Sequence, residues 1–230
     1  AFLVLLAVHL VKKYPLPIVE DSTEALGTTY KGKSAGSFSP LACFSFNGNK
    51  IISTGGGGVI VTDDETLAKH AKHLTTTAKA SPDEYYHDEV GYNYRLVNVL
   101  AAIGVGQMEL LPSFIKRKKE CVAFYKRELA GVGDIRFQKE LPAVETNGWL
   151  FTIQTDKQKQ LLDHLNANKI LSRRFWMPMN KLPMYRDCVY VQKKDTSDYI
   201  YNTCLSIPSS TSITDDELVI VVHEIKEAIG

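Results

Sequence analysis

Two polar side chains of one short stretch could do chemistry. Cys43-Phe44-Ser45-Phe46-Asn47-Gly48-Asn49-Lys50 offers a hydroxyl donor at Ser45 and a primary amine at Lys50. A deprotonated lysine amine is a nucleophile toward carbonyl carbon, so Lys50 is a candidate to carry a covalent cofactor. A lysine in a turn is by itself usually just an exposed cation, but the neighbours argue for more. A run that reads as a buried aromatic strand breaks at Asn47-Gly48-Asn49, presents the lysine and leads into Gly55, Gly56, Gly57 and Gly58. Four consecutive glycines open the backbone to positive φ and to close approach by a ligand, at an entropic cost in folding.

Acids and bases elsewhere add candidates. Pro17-Ile18-Val19-Glu20-Asp21 reads as a short buried strand ending in two carboxylates, and open α/β sheets bind ligands at the carboxyl ends of their strands. Asp21 and Glu24 also have a plainer reading, as caps of the turn or short helix over 21–27. Gly91-Tyr92-Asn93-Tyr94-Arg95 gathers two aromatics around an amide and a guanidinium. Such a group suits an anion or a partner subunit, and equally ordinary packing. Arg173 and Arg174, beside Phe175 and Trp176, form a second candidate anion site. His70 and His73 are three apart without a carboxylate at ligand spacing, so they read as solvated surface and no metal site is expected.

These residues need elements to hold them. Apolar runs predict strands over 41–46 and 58–62 on either side of the lysine turn. Asp63 and Asp64 cap a predicted helix over 65–74 with Leu67, Ala71 and Leu74 at helical spacing. Residues 30–33 read as a hairpin turn and 79–89 as a polar surface loop. A helix over 98–111, rich in small residues, is expected to break at Pro112 and resume over 113–129. There Lys116-Arg117-Lys118-Lys119 is most simply a solvated face. Beyond Gly131, strands are expected at 135–137, 149–154, 170–176 and 204–208. Helices are expected at 156–168, 195–201 and 214–229, the last with a capping pattern from Thr214 to Glu217. The spacing suggests a part of a large domain over 1–112, a connecting helix over 113–130 and a small α/β lobe over 131–230.

Composition narrows the partners. The 230 residues are 44% hydrophobic and carry a formal net charge of +1, so a real core can form and no general attraction to nucleic acid or an anionic membrane is expected. Cys43, Cys121, Cys188 and Cys204 are too dispersed for zinc pairs and fit reduced thiols in a cytoplasmic protein. Residues 1–11 are apolar apart from His9, too short to span a bilayer and without signal-peptide features, and read as a buried strand or helix.

Four blocks together resemble the DegT/StrS-type sugar aminotransferases, which use pyridoxal 5′-phosphate (PLP) on nucleotide-linked keto sugars. They are residues 20–27, residues 43–50, the four glycines and Gly91-Tyr92-Asn93-Tyr94-Arg95, in the family's order and approximate spacing. The resemblance implies an α/β fold of the PLP-dependent transferase type (fold type I), with a three-layer large domain and a small C-terminal α/β domain. It implies that Lys50 is the Schiff-base lysine, that Asp21 pairs with the pyridinium nitrogen, that Glu24 lies near the ring and that Ser45 is a phosphate ligand. Asn93 would reach the phosphate of a neighbouring subunit, making a homodimer with shared sites, and Arg95 would assist there or bind the donor's carboxylate. Arg174 and Tyr185 fall where family members meet the sugar nucleotide. The implied reaction is ping-pong transamination of a nucleotide-linked 4-keto-6-deoxy sugar, with glutamate as donor, in bacterial amino-sugar biosynthesis. The alternatives are a dehydratase of the same fold, against which Lys50 argues because that branch carries histidine there, and a truncated, non-catalytic binding or dimerisation module. Family chains carry a longer N-terminal segment, so residues are expected to be missing before Ala1 and near Leu10-Val11.

Overall fold

The computed structural model describes Lys13, Tyr14 and residues 16–230. The expectations for residues 1–11 and for a gap at Leu10-Val11 lie outside the described residues. The chain forms two compact units, Ala1–Ile115 with Leu141–Trp149, and Lys116–Glu140 with Leu150–Gly230.

The first unit is organised by a three-stranded sheet in the order β1 (Val19–Asp21), β4 (Leu41–Ser45), β5 (Gly58–Val61). β1 runs parallel to β4, with Asp21 opposite Cys43, and β5 returns antiparallel, with Gly58 opposite Ser45. The period of two along a strand then sorts the side chains. Asp21, Cys43 and Ser45 share one face at the carboxyl ends of the two parallel strands. Glu20 and Phe44 share the other.

A second small sheet joins β2 (Thr29–Tyr30) and β3 (Lys33–Ser34), the expected hairpin, to β7 (Val144–Glu145). This pairing corrects the assignment of residues 141–149 to the C-terminal lobe, because β7 completes a ladder of the first unit. Helix α1 (Glu65–Thr75) follows β5. Asp64 caps it, its carboxylate accepting from the amides of Thr66 at 2.8 Å and Leu67 at 3.1 Å.

Pro112 does not end a helix. Helix α2 runs unbroken from Asn98 to Glu128 with Pro112 inside it. Proline costs an interior helix one backbone bond and a clash, about 3 kcal/mol. The residues after it recover stability by burial, with Cys121, Tyr125 and Leu129 repeating every four positions into the core of the second unit. Residues 116–130 therefore belong to that unit rather than to a separate connector. By length and hydropathy alone α2 would pass for a membrane span, but its second half carries the basic run 116–119 and this buried stripe. Within that run Lys118 is buried rather than solvated.

The second unit closes around a four-stranded antiparallel sheet in the order β6 (Arg136–Phe137), β8 (Phe151–Gln154), β10 (Cys204–Ile207), β9 (Arg173–Arg174). Alternation puts Phe151, Ile153, Leu205 and Ile207 on the buried face. Helices α3 (Gln158–Ala167) and α5 (Asp215–Ile229) cover it with Leu161, Leu165, Leu218, Val221, Val222, Ile225 and Ile229 at helical spacing. Helix α4 (Thr196–Thr203) precedes β10. Thr214 and Glu217 form the expected capping box of α5.

Candidate functional site

The lysine turn is built by its own backbone. Lys50 N–H donates to the Asn47 carbonyl at 3.0 Å, closing a β-turn over residues 47–50. Asn47 N–H donates to Ser45 Oγ at 3.2 Å, which ties the turn to the end of β4. Ile51 and Ile52 follow directly and are buried, so the backbone under Lys50 is anchored. The glycines then let the chain return. Gly57 has φ +87°, and a Cβ on Gly58 would stand 2.4 Å from the Phe44 carbonyl oxygen. Only glycine permits β5 to pair so closely beside the turn.

Two side chains meet the Lys50 amine. Its Nζ lies 3.3 Å from Glu24 Oε1 and 4.3 Å from the centroid of the Trp149 ring. Trp149 Nε1 in turn donates to the carbonyl of Asn49 at 2.7 Å. The lysine side chain is 13% exposed, so its amine is held between a carboxylate and an aromatic face rather than waving in solvent. Asn147 sets Trp149 in place. It is buried, its Nδ2 donates to the carbonyls of Glu24 at 2.8 Å and Leu26 at 3.0 Å, and its Oδ1 accepts from Trp149 N–H at 3.0 Å.

The two acids at the end of β1 have different tasks. Glu20 is buried and works as a strut. Its carboxylate accepts from Ser22 Oγ at 3.1 Å, from Phe38 N–H at 3.1 Å and from Gly36 N–H. Asp21 is exposed on the opposite face and accepts from Thr23 N–H at 3.2 Å, the local turn bond anticipated for it.

Asn93 is fixed by backbone pairing beside the end of α1. Tyr92 N–H donates to the Leu74 carbonyl at 2.7 Å, Tyr94 N–H to that of Thr75 at 3.1 Å, and Asn93 forms an antiparallel bridge with Thr76. The rings of Tyr92 and Tyr94 stack at 5.1 Å, and Asn93 and Arg95 are exposed. Arg174 and Tyr185 lie in the second unit. The Arg174 guanidinium sits 5.5 Å from the Tyr201 ring centroid, and Tyr185 ends a short 3-10 turn over Pro183–Tyr185. The structure thus brings Glu24 to Lys50 and sets Asp21 on the face of Ser45, while Asn93 and Arg95 occupy another segment of the same unit.

Sequence reasoning missed Trp149 and Asn147. A Trp two residues before a strand and an Asn in a polar loop carry no periodic signal, because their contacts reach across about a hundred positions. The carboxylate partners of the two histidines, which read as solvated surface, were likewise hidden. His70 Nε2 lies 2.9 Å from Glu89 Oε2 and His73 Nε2 lies 2.6 Å from Asp88 Oδ1. The carboxylates come from the loop over 79–89, at a separation that helix spacing does not reveal.

Comparison with known proteins identifies the family and the fold. The model of the DegT/DnrJ/EryC1/StrS aminotransferase family matches residues 7–226. The chain is 34% identical to the GDP-perosamine synthase of Escherichia coli O157:H7, over 96% of this chain and 60% of that protein. The PseC aminotransferase of Helicobacter pylori, involved in pseudoaminic acid biosynthesis, superposes with a TM-score of 0.90 at 23% identity, covering 98% of this chain and 63% of its own. DesV of S. venezuelae gives 0.87 at 27% identity, covering 95% and 59%. The fold is therefore that of the type I sugar aminotransferases. The chain spans about 60% of the length of the curated relatives it matches.

Proposed function

We propose that this chain, which belongs to the DegT/DnrJ/EryC1/StrS aminotransferase family, serves PLP-dependent transamination of a nucleotide-linked 4-keto-6-deoxy sugar with L-glutamate as donor. The observation that carries the reading is the held amine of Lys50, next to strand ends that set Asp21 and Ser45 on one face. The donor set fits PLP: a primary amine for its aldehyde, a carboxylate for its ring nitrogen and a hydroxyl for its phosphate. When bound, the cofactor would supply an electron sink for the electron pair released at the reacting carbon and a carrier for the amino group.

The chain's own residues do the rest. Asp21 holds a positive charge on the ring nitrogen by charge pairing. The Ser45 hydroxyl accepts from Asn47 N–H and donates its own proton to a phosphate oxygen. Lys50, as free amine, takes and returns a proton at the sugar carbon. Glu24 and Trp149 keep that amine in place between transfers. Asn93 reaches the phosphate bound by a second copy of the chain, in a homodimer with shared sites, and Arg95 takes the donor's carboxylate. Arg174 and Tyr185 are assigned to the sugar nucleotide. The free thiols of Cys43, Cys121, Cys188 and Cys204 favour the cytoplasm, where such sugars are made for bacterial glycans.

The test is a panel of UDP-, GDP- and dTDP-linked 4-keto-6-deoxy sugars incubated with protein, PLP and glutamate. The expected result is one amino-sugar nucleotide by mass spectrometry, with an equal amount of 2-oxoglutarate. Loss of water from the sugar without gain of nitrogen, or no product from any member, overturns the reading.

A further inference from the structure

Away from the lysine, the end of α1 and the loop after it bring together three groups with metal-ligand chemistry. One ligand atom each from His73, Asp88 and Glu89 lies within 4.8 Å of the others. We propose that these three side chains bind a divalent transition ion of the zinc class, with His70 as the positioning residue that orients Glu89.

Four observations carry it. The donor set is one imidazole and two carboxylates, which suits Zn²⁺ with a fourth position left to water, as in open three-ligand sites. The two acids supply the negative charge that a dication neutralises. Glu89 is held from its other side by His70 Nε2 at 2.9 Å, the kind of outer contact that aims a ligating carboxylate. The loop is also pinned before any ion arrives. Lys79 and His87 form an antiparallel bridge, His87 Nδ1 lies 2.7 Å from the Thr77 carbonyl, and Asp88 N–H donates to the Ala78 carbonyl at 3.2 Å. Ordinary ion pairs would need none of this convergence, and exposed ones contribute little, about 0–1 kcal/mol.

Metal bonds of about 2.0–2.2 Å place tetrahedral ligands roughly 3.4 Å apart. His73 and Asp88, now 2.6 Å apart, would open slightly, a movement that side-chain rotation can supply. The same segment continues into Tyr92, Asn93 and Arg95, whose backbone pairs with the end of α1. A bound ion would therefore clamp the segment that carries Asn93. The site goes beyond the transamination reading and is tested without it.

The experiment is equilibrium dialysis of chelator-stripped protein against Zn²⁺, with Co²⁺ absorption as a second probe of coordination. One ion per chain is expected in wild type. His73→Gln and Glu89→Gln should each weaken binding at least tenfold, and His70→Gln by a smaller factor that leaves the stoichiometry at one. Circular dichroism melts establish that each variant is folded, and Asp88→Asn provides an independent ligand change. Uptake no greater than in His73→Gln, or uptake that survives both the His73 and Glu89 changes, overturns the site.

Discussion

Trp149 holds Lys50 in two ways at once, with its ring 4.3 Å from the ammonium and its Nε1–H donating to the carbonyl of Asn49 at 2.7 Å. Trp149→Phe keeps the ring and loses the donor, a change of about 1 kcal/mol that should weaken PLP binding roughly fivefold. Trp149→Ala loses the cation–π contact too, and the expected loss is about 2 kcal/mol or more, some thirtyfold. Absorbance titration with PLP measures both. Equal losses in the two variants would mean that the ring's contact with the ammonium contributes nothing, and an unchanged affinity in Trp149→Phe would mean that the indole N–H contributes nothing.

Neighbouring acids should separate structure from chemistry. Glu20→Ala leaves the Gly36 and Phe38 amides and the Ser22 hydroxyl without their acceptor. The expected cost is about 3 kcal/mol or more in urea unfolding, since each deserted buried donor costs about 1–3 kcal/mol. Asp21→Ala removes one exposed turn bond and should change stability by less than about 1 kcal/mol, yet abolish PLP binding. Similar unfolding curves for the two variants would contradict this division.

The glycine patch should not tolerate substitution evenly. A Cβ at Gly56 meets nothing within 4 Å, whereas one at Gly58 meets the Phe44 carbonyl oxygen at 2.4 Å. Gly56→Ala is expected to unfold like wild type, and Gly58→Ala to lose about 1–3 kcal/mol from overpacking. Thermal melts of the pair decide.

Lys118 links stability to pH. Burial pushes its amine down from 10.5 to about 8, although Nζ donates to Ser209 Oγ at 3.2 Å and to the Ser209 carbonyl. Between those values the unfolded chain binds a proton that the folded chain does not, so stability rises with pH across this window. Below about pH 8 the full penalty applies, about 3 kcal/mol for a shift of that size. Lys118→Met lacks it. The difference in unfolding free energy, wild type minus variant, should therefore move in favour of wild type by up to about 3 kcal/mol from pH 7.5 to 10.5. A flat difference would mean that the buried amine keeps its ordinary affinity for protons.

Local signals were legible in the sequence. Alternation and capping placed β4, β5, α1 and α5, and the glycines announced a tight return beside Lys50. What escaped was non-local. Glu20 and Asp21 look alike in sequence, and only the register against β4 sends one to the buried face and the other to the exposed face. Pro112 read as a break because the burial that offsets it begins nine residues later, at Cys121. Asn147 and Trp149 close the lysine site from a loop that β7 carries back to β2, and no periodicity marks that return.

The central claim is that Lys50 is the residue that holds the cofactor, and covalent trapping tests it most directly. The protein is saturated with PLP, reduced with borohydride, digested and mapped by mass spectrometry. The expected result is a single phosphopyridoxyl adduct on the peptide containing Lys50, absent from Lys50→Ala. An adduct on another lysine, or one that persists in Lys50→Ala, would contradict the account.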